Sequence, residues 1–273
     1  MSLVPRRITI CIPHWQMREM MTYCLRSIRK FSTDHDLEVI VVDNGSQDDS
    51  LGYLRSLDWI RLIERKDETP GNWPTNVFTA WDLGMRECTG EFFITMHSDV
   101  VIRRKGWLAP YLEAMDEGEP VAGVGAWKLE LRHPLYNLQK LVVKNISVRI
   151  KAAFGRKRAR KGWQAGHYPR DYCAMYRTQS LLDHDISFLY APPRLNGGGH
   201  AVATRMWDAG LETRMFPVAT QYRNMFHIAH GTAAFTNQEL RHSRSQAKVV
   251  RRAKALLAED WIRELRNDDS LDH

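Results

Sequence analysis

Residues 87–108, ECTGEFFITMHSDVVIRRKGWL, decide how the rest of the chain is read. Phe92-Phe93-Ile94-Thr95-Met96 is a short aromatic, apolar and β-branched run with the make-up of a buried strand, and it stops at His97-Ser98-Asp99. Asp99 therefore stands at a strand's carboxyl end. Open α/β sheets bind ligands in the crevice outside those ends, and a hard cation carrying phosphate seeks carboxylate oxygen there. Ser and Asp also cap and turn chains with no ligand present, so the triplet alone leaves turn and site open.

Upstream, Ile8 to Ile12 reads as a first strand broken by Pro13, whose missing N–H suits a strand end. Met17, Met20, Met21, Cys24, Leu25 and Ile28 then recur at helical spacing and read as core. Val39 to Val42 is a continuous apolar run, the mark of a strand covered on both faces, and ends at Asp43-Asn44-Gly45-Ser46. Ile60 to Ile63 gives a third strand, and Val77, Phe78, Trp81, Met85 and Cys88 share one face of a helix. Downstream, Val121 to Trp127 is a strand in which Gly123 and Gly125 allow close backbone approach. Strand and helix alternate with short connections, which predicts an α/β fold with a mostly parallel central sheet flanked by helices. Asp43 and Asp99 would then face one crevice. Turn chemistry at Asp43 remains the competing explanation.

A chain of 273 residues with 44% hydrophobic composition can bury one large α/β core. No apolar run reaches the length of a membrane-spanning helix, and the amino terminus lacks a signal peptide's apolar middle, so a cytoplasmic protein, free or peripheral on the inner face of the membrane, is expected. Cys11, Cys24, Cys88 and Cys173 show no metal-type pairing and read as reduced thiols. The net charge of +7 has a local origin, because residues 144–170 hold nine Lys or Arg and no Asp or Glu.

The segment 87–108 resembles family 2 glycosyltransferases of the GT-A (Rossmann-like) fold, in which a strand ends in a DxD-like triplet followed by Gly-Trp-Leu, here Gly106-Trp107-Leu108. Ile10-Cys11-Ile12-Pro13 and Val41-Val42-Asp43-Asn44-Gly45-Ser46 are similar to the family's "IVIP" and "VVDNGS" elements, and Tyr172 to Arg177 to its acceptor-side strand. The resemblance implies a nucleotide-diphosphate sugar donor and a divalent cation, Mn or Mg, as cofactor. It implies donor contacts from Pro13, Trp15, Asp43 and Ser98, and metal contacts from Asp99, with His97 standing where the family's first acidic residue lies. A late His completes the metal shell in the family; His227 and His230 compete for that place, and spacing to Gly231-Thr232 favours His230.

The resemblance fails where the family has a Glu-Asp pair that takes the acceptor proton: Gly198-Gly199 stands there. His200, one place later, and Asp171 are the candidate bases, since a glycine cannot accept a proton. The division implied is a nucleotide-sugar half at 1–127, an acceptor half at 128–235 and a C-terminal amphipathic helical extension at 236–273. The expected acceptor is a saccharide, glycan or lipid-linked hydroxyl, and the transfer inverting. Residues 144–170 read as a solvated loop or as a contact with an anionic membrane surface; no nucleic-acid recognition motif accompanies them. Two other functions stay open: a catalytically silent relative that binds nucleotide sugar or membrane, and a sugar nucleotidyltransferase, whose glycine-rich first loop is replaced by Pro13-His14-Trp15.

Overall fold

The computed structural model describes residues 6–66, 74–118, 120–129, 134–155, 167–189, 197–228 and 243–273. The first half alternates as the sequence predicts: β1 (Ile8–His14), α1 (Arg18–Phe31), β2 (Leu37–Asp43), α2 (Ser50–Ser56), β3 (Ile60–Glu64), α3 (Thr75–Glu87) and β4 (Phe92–Met96). There follow β5 (Val100–Ile102), α4 (Ala109–Met115), β6 (Val121–Gly125), α5 (Pro134–Ala153), β7 (Cys173–Arg177) and α6 (Thr178–Asp183). The chain then forms α7 (Gly199–Asp208), β8 (Glu212–Met215), α8 (Val218–Asn224), β9 (Met225–His227), α9 (Ser243–Leu257) and α10 (Asp260–Asn267).

Seven strands form one sheet in the order β3-β2-β1-β4-β7-β6-β8. β1 to β4 pair in parallel, as do β6 and β8, while β7 runs antiparallel to both its neighbours. The period-two alternation of strand side chains feeds two cores. Ile10, Ile12, Val39, Val41 and Ile94 enter one, and Cys11, Ile40, Val42 and Phe93 the other. This is why Val39 to Val42 reads as a continuous apolar run and why Ile8 to Ile12 in β1 and Phe92 to Met96 in β4 are broken only by a buried threonine each, Thr9 and Thr95. At Gly123 an added Cβ would lie 3.1 Å from Tyr176, so the glycine in β6 admits the neighbouring strand's ring.

Strand order reverses between β1, which leads to β2 on one side, and β4 on the other; the carboxyl ends there form the switch-point crevice of a doubly wound sheet. β7, being antiparallel, begins where β4 ends, with Met96 opposite Cys173. Residues 171 and 172 are thereby carried to the same crevice. β5 and β9 form a separate two-stranded ribbon that sets Val100 opposite His227.

The tail is two helices, where the apolar stripe from Val249 to Leu265 predicts one. Glu259 adopts an extended backbone between them. Ala253, Leu256, Ile262 and Leu265 bury against Met20, Tyr23, Val101 and Phe226. Arg26, from the inner side of α1, forms a buried ion pair with Asp272 at 2.6 Å. The cysteines have no disulfide partners, and Cys11, Cys24 and Cys173 are buried.

Candidate active site

The carboxyl ends of β1 and β2 are locked together. His14 and Asp43 are register partners, and Asn44 donates its backbone N–H to the His14 carbonyl. Asp43, buried, accepts the N–H groups of Gly45 and Ser46 on Oδ2 and the Ser46 hydroxyl on Oδ1. The carboxylate thus shapes the turn and is held rigidly at the crevice edge; the two readings of this residue are compatible, because each oxygen has more than one lone pair. Gln16 donates its N–H to Ser46 Oγ and Met17 to Asp48 Oδ2, with Gln16 and Met17 both at positive φ. Pro13 does not end the strand: it is buried inside β1, paired in register with Val42, and Trp15 is half-buried on the loop that follows. His14 Nε2 lies 2.8 Å from Ser50 Oγ, and burial pushes the imidazole down to about 4 against the pull of Asp43 and Asp48. Arg65 bonds to Asn44 Oδ1 and to the Asn76 carbonyl, bracing β2 against α3.

At the end of β4, the His97 ring stacks on Trp81, with ring centroids 5.6 Å apart, and the His97 backbone N–H donates to the Tyr172 carbonyl. Ser98 is half-buried beside it. Asp99 is buried, with Oδ1 3.4 Å from His227 Nε2 and 3.9 Å from His97 Nδ1. The three ligand-type atoms of His97, Asp99 and His227 lie within 4.8 Å of one another.

His227 reaches this point through the β5–β9 ribbon, closed by the bond from Ile228 N–H to the Asp99 carbonyl. Its Nδ1 lies 3.1 Å from the Leu129 carbonyl, and a carbonyl can only accept, so Nδ1 donates there and Nε2 is the nitrogen turned to Asp99. Nε2 is buried and without a hydrogen bond among the described residues. The ring stacks on Tyr172 at 4.6 Å. Burial lowers the His97 pKa despite the nearby Asp99, which keeps it in the neutral form that binds metal. One carboxylate oxygen and two imidazoles fit a borderline divalent cation such as Mn, and fit Mg less well.

Spacing along the chain favours His230 over His227. The structure brings His227 to Asp99; His230 lies outside the described residues, as do Gly231 and Thr232. The signal that finds His227 is strand pairing with Val100, which spacing along the chain does not carry.

On the other flank, Asp171 precedes Tyr172 and its Oδ2 accepts the N–H of Gly199, the first residue of α7, at 3.3 Å. Gly198 has φ +64, and a Cβ there would fall 2.4 Å from that same oxygen and 2.7 Å from the Phe78 ring. At Gly197 the clash with Phe78 would be 2.2 Å. The space a side chain at 198 would need is filled by the Asp171 carboxylate. His200 sits in the first turn of α7, edge-on to Tyr168 at 5.1 Å. Arg170 stacks on Trp127 and Tyr168, and His167 lies on Trp127 at 4.4 Å. An aromatic and cationic wall therefore runs away from the His97, Asp99 and His227 cluster.

Residues 9–184 match Glycosyl transferase family 2. The chain belongs to that family. Among curated proteins, this family 2 chain is 27% identical over 125 residues to the uncharacterized glycosyltransferase YfnE of Bacillus subtilis (strain 168), a match covering 45% of this chain and 30% of that relative's length. Among solved structures, the mannosyltransferase PcManGT from Pyrobaculum calidifontis, in complex with GDP-Man and Mn2+, superposes with a TM-score of 0.55 at 15% identity, covering 99% of this chain and 86% of that one. S. aureus TarS 1-349 gives 0.55 at 16%, covering 93% and 66%. The fold is thus the GT-A, Rossmann-like arrangement that the sequence predicts, with a mostly parallel central sheet between helices.

Proposed function

We propose that this family 2 chain transfers a sugar from a nucleotide-diphosphate donor to a hydroxyl of a saccharide, glycan or lipid-linked acceptor, in the cytoplasm or at the inner face of the membrane. The observation that carries the proposal is the cluster of His97, Asp99 and His227 at the switch-point crevice. Residues 1–127 would serve the donor. Pro13, Trp15, Asp43 and Ser98 border the nucleotide, with the rigid Asp43 carboxylate accepting from the base N–H. That PcManGT is described with GDP-Man and TarS with UDP-GlcNAc supports this donor class.

Asp99, His97 and His227 would hold the divalent cation, which when bound offsets negative charge on the departing diphosphate. Residues 128–235 would serve the acceptor, with Tyr168, His200 and Arg170 lining its entry. Asp171 takes the acceptor proton as the hydroxyl oxygen attacks the anomeric carbon; the bond from that carbon to the diphosphate oxygen breaks on the opposite face, which inverts the centre. Asp171 is preferred to His200 because its carboxylate occupies the space that Gly198 leaves.

Titration of UDP-, GDP- and dTDP-sugars with and without Mn, following released nucleotide, tests the proposal. Expected is Mn-dependent binding of one donor with slow release, lost in Asp99→Ala. No Mn-dependent binding of any donor refutes the donor site. Tight binding with no release under any acceptor supports instead the silent relative, which Gly198-Gly199 favours.

A further inference from the structure

Seven large apolar side chains stand out as exposed among the described residues, and six of them are on or directly after α5: Leu135, Leu138, Val143, Ile146, Ile150 and Phe154, from 49% to 75% exposed. At about 100° per residue these six fall within roughly 160° of the helix circumference. Leu141, Asn145 and Val148, on a separate arc of roughly 60°, are buried. Phe154 continues the helical bonding to the Ile150 carbonyl before Gly155 ends it at φ +65. A soluble chain does not normally gather its exposed apolar side chains on one helix face.

The charges beside that face are all of one sign. Lys140, Lys144 and Lys151 are exposed along one flank of the arc and Arg149 lies within it; α5 holds no Asp or Glu, and the sequence continues with Arg156-Lys157-Arg158, Arg160 and Lys161. A second copy of this chain docked face to face would bring cations against cations. An anionic lipid surface offers apolar depth for the stripe and negative headgroups for its flank. No helix among the described residues is long and apolar enough to cross a membrane, which fits a helix lying in the interface plane.

The geometry points to α5 as an interfacial helix that seats the chain on an anionic bilayer through Leu138, Val143, Ile146, Ile150 and Phe154, with the adjoining cations on the headgroups. α5 packs on α8, which leads into β9 and His227, and Leu129, whose carbonyl orients His227, lies five residues ahead of it. α5 also runs near the acceptor wall, since its Lys144 acts on His167, which lies on Trp127. The acceptor class this implies is one carried on a lipid in the same bilayer; that consequence rests on the proposed transfer, while the docking itself does not.

Vesicle flotation with the full chain tests the docking without any turnover. Phosphatidylcholine vesicles are compared with phosphatidylcholine containing about a third phosphatidylglycerol, and the chain is expected to float only with the second. Ile146→Glu/Ile150→Glu should weaken binding at least tenfold while leaving the thermal transition unchanged, since both sites are exposed. Lys140→Gln/Lys144→Gln/Lys151→Gln should weaken it by roughly fivefold per cation removed, at about 1 kcal/mol each. Three results overturn the proposal: no flotation with either lipid, flotation untouched by the double Glu variant, or a lipid-free dimer that the double Glu variant dissociates. Mn-dependent donor binding, measured in the same preparation without lipid, tells failure of the docking from failure of the transferase reading.

Discussion

Replacing Gly198 with alanine should cripple turnover while sparing the donor. The new Cβ would lie 2.4 Å from Asp171 Oδ2, where ordinary contact begins near 3.4 Å, so the carboxylate must retreat by about 1 Å. A misplacement of that size in a group that meets the reacting atoms costs on the order of 100-fold in kcat. The new Cβ also meets the Phe78 ring at 2.7 Å, and Phe78 stacks on Trp81 beneath His97, so donor KM and Mn affinity are read alongside and should change much less than kcat. The backbone at φ 64 and ψ −149 also strains any side chain, by about 1–3 kcal/mol, so a stability loss alone proves nothing. Gly210→Ala supplies the control, because Gly210 has φ +80 with nothing within 4 Å of its added Cβ. It should lose stability and keep kcat. Asp171→Asn keeps an acceptor for the Gly199 N–H but cannot take a proton, and should lose at least as much kcat as Gly198→Ala. Nucleotide release under saturating donor, with circular dichroism confirming the fold, reads all three. A Gly198→Ala enzyme within threefold of the parent kcat, or an equal loss in Gly210→Ala, would refute the role given to Asp171.

His227→Ala should weaken Mn binding by about 100-fold or more, since it removes one of three ligand-type side chains, and calorimetry showing a change under threefold would exclude it from the shell. Stability should rise with pH between about 4 and 6.5, because buried His14 resists protonation down to about 4 whereas the unfolded chain takes up that proton near 6.5. The contribution present above 6.5 falls by about 2 kcal/mol on acidifying to pH 5. Denaturant titrations at several pH values should show a shallower slope in His14→Gln, and an identical slope would rule the residue out. Arg26→Ala leaves Asp272 without its buried partner and should lower unfolding free energy by about 3 kcal/mol or more, with guanidinium midpoints as the readout. A change under 1 kcal/mol would mean the tail is held by α9 and α10 packing alone.

The elements legible in the sequence are those whose signal is local. β1, β2 and β4 are buried on both faces, so their runs are apolar but for Thr9 and Thr95, and Asp43 and Asp99 are found simply by where the runs of β2 and β4 stop. What the sequence does not display is pairing over distance. The antiparallel seat of β7 between β4 and β6 depends on partners more than 45 residues away, and it is this seat that carries Asp171 and Tyr172 to the crevice. The same blindness separates His227 from His230. The stripe on residues 249–265 is continuous in helical register across the break at Glu259, so periodicity alone reads two helices as one. Along 140–155 the apolar residues and cations are visible in the sequence, but which apolar residues face water follows only from how α5 lies on α8.

The late arrival of β7 shapes how this chain can be made. β4 pairs with β1 on one side, but its other edge waits for residues 173–177, so a ribosome must extend the chain by about eighty residues before that edge is covered. Until then a mostly apolar strand offers open backbone groups to any neighbouring chain. A fragment stopped near residue 127 would keep that edge open for good, and aggregation on expression is its expected fate.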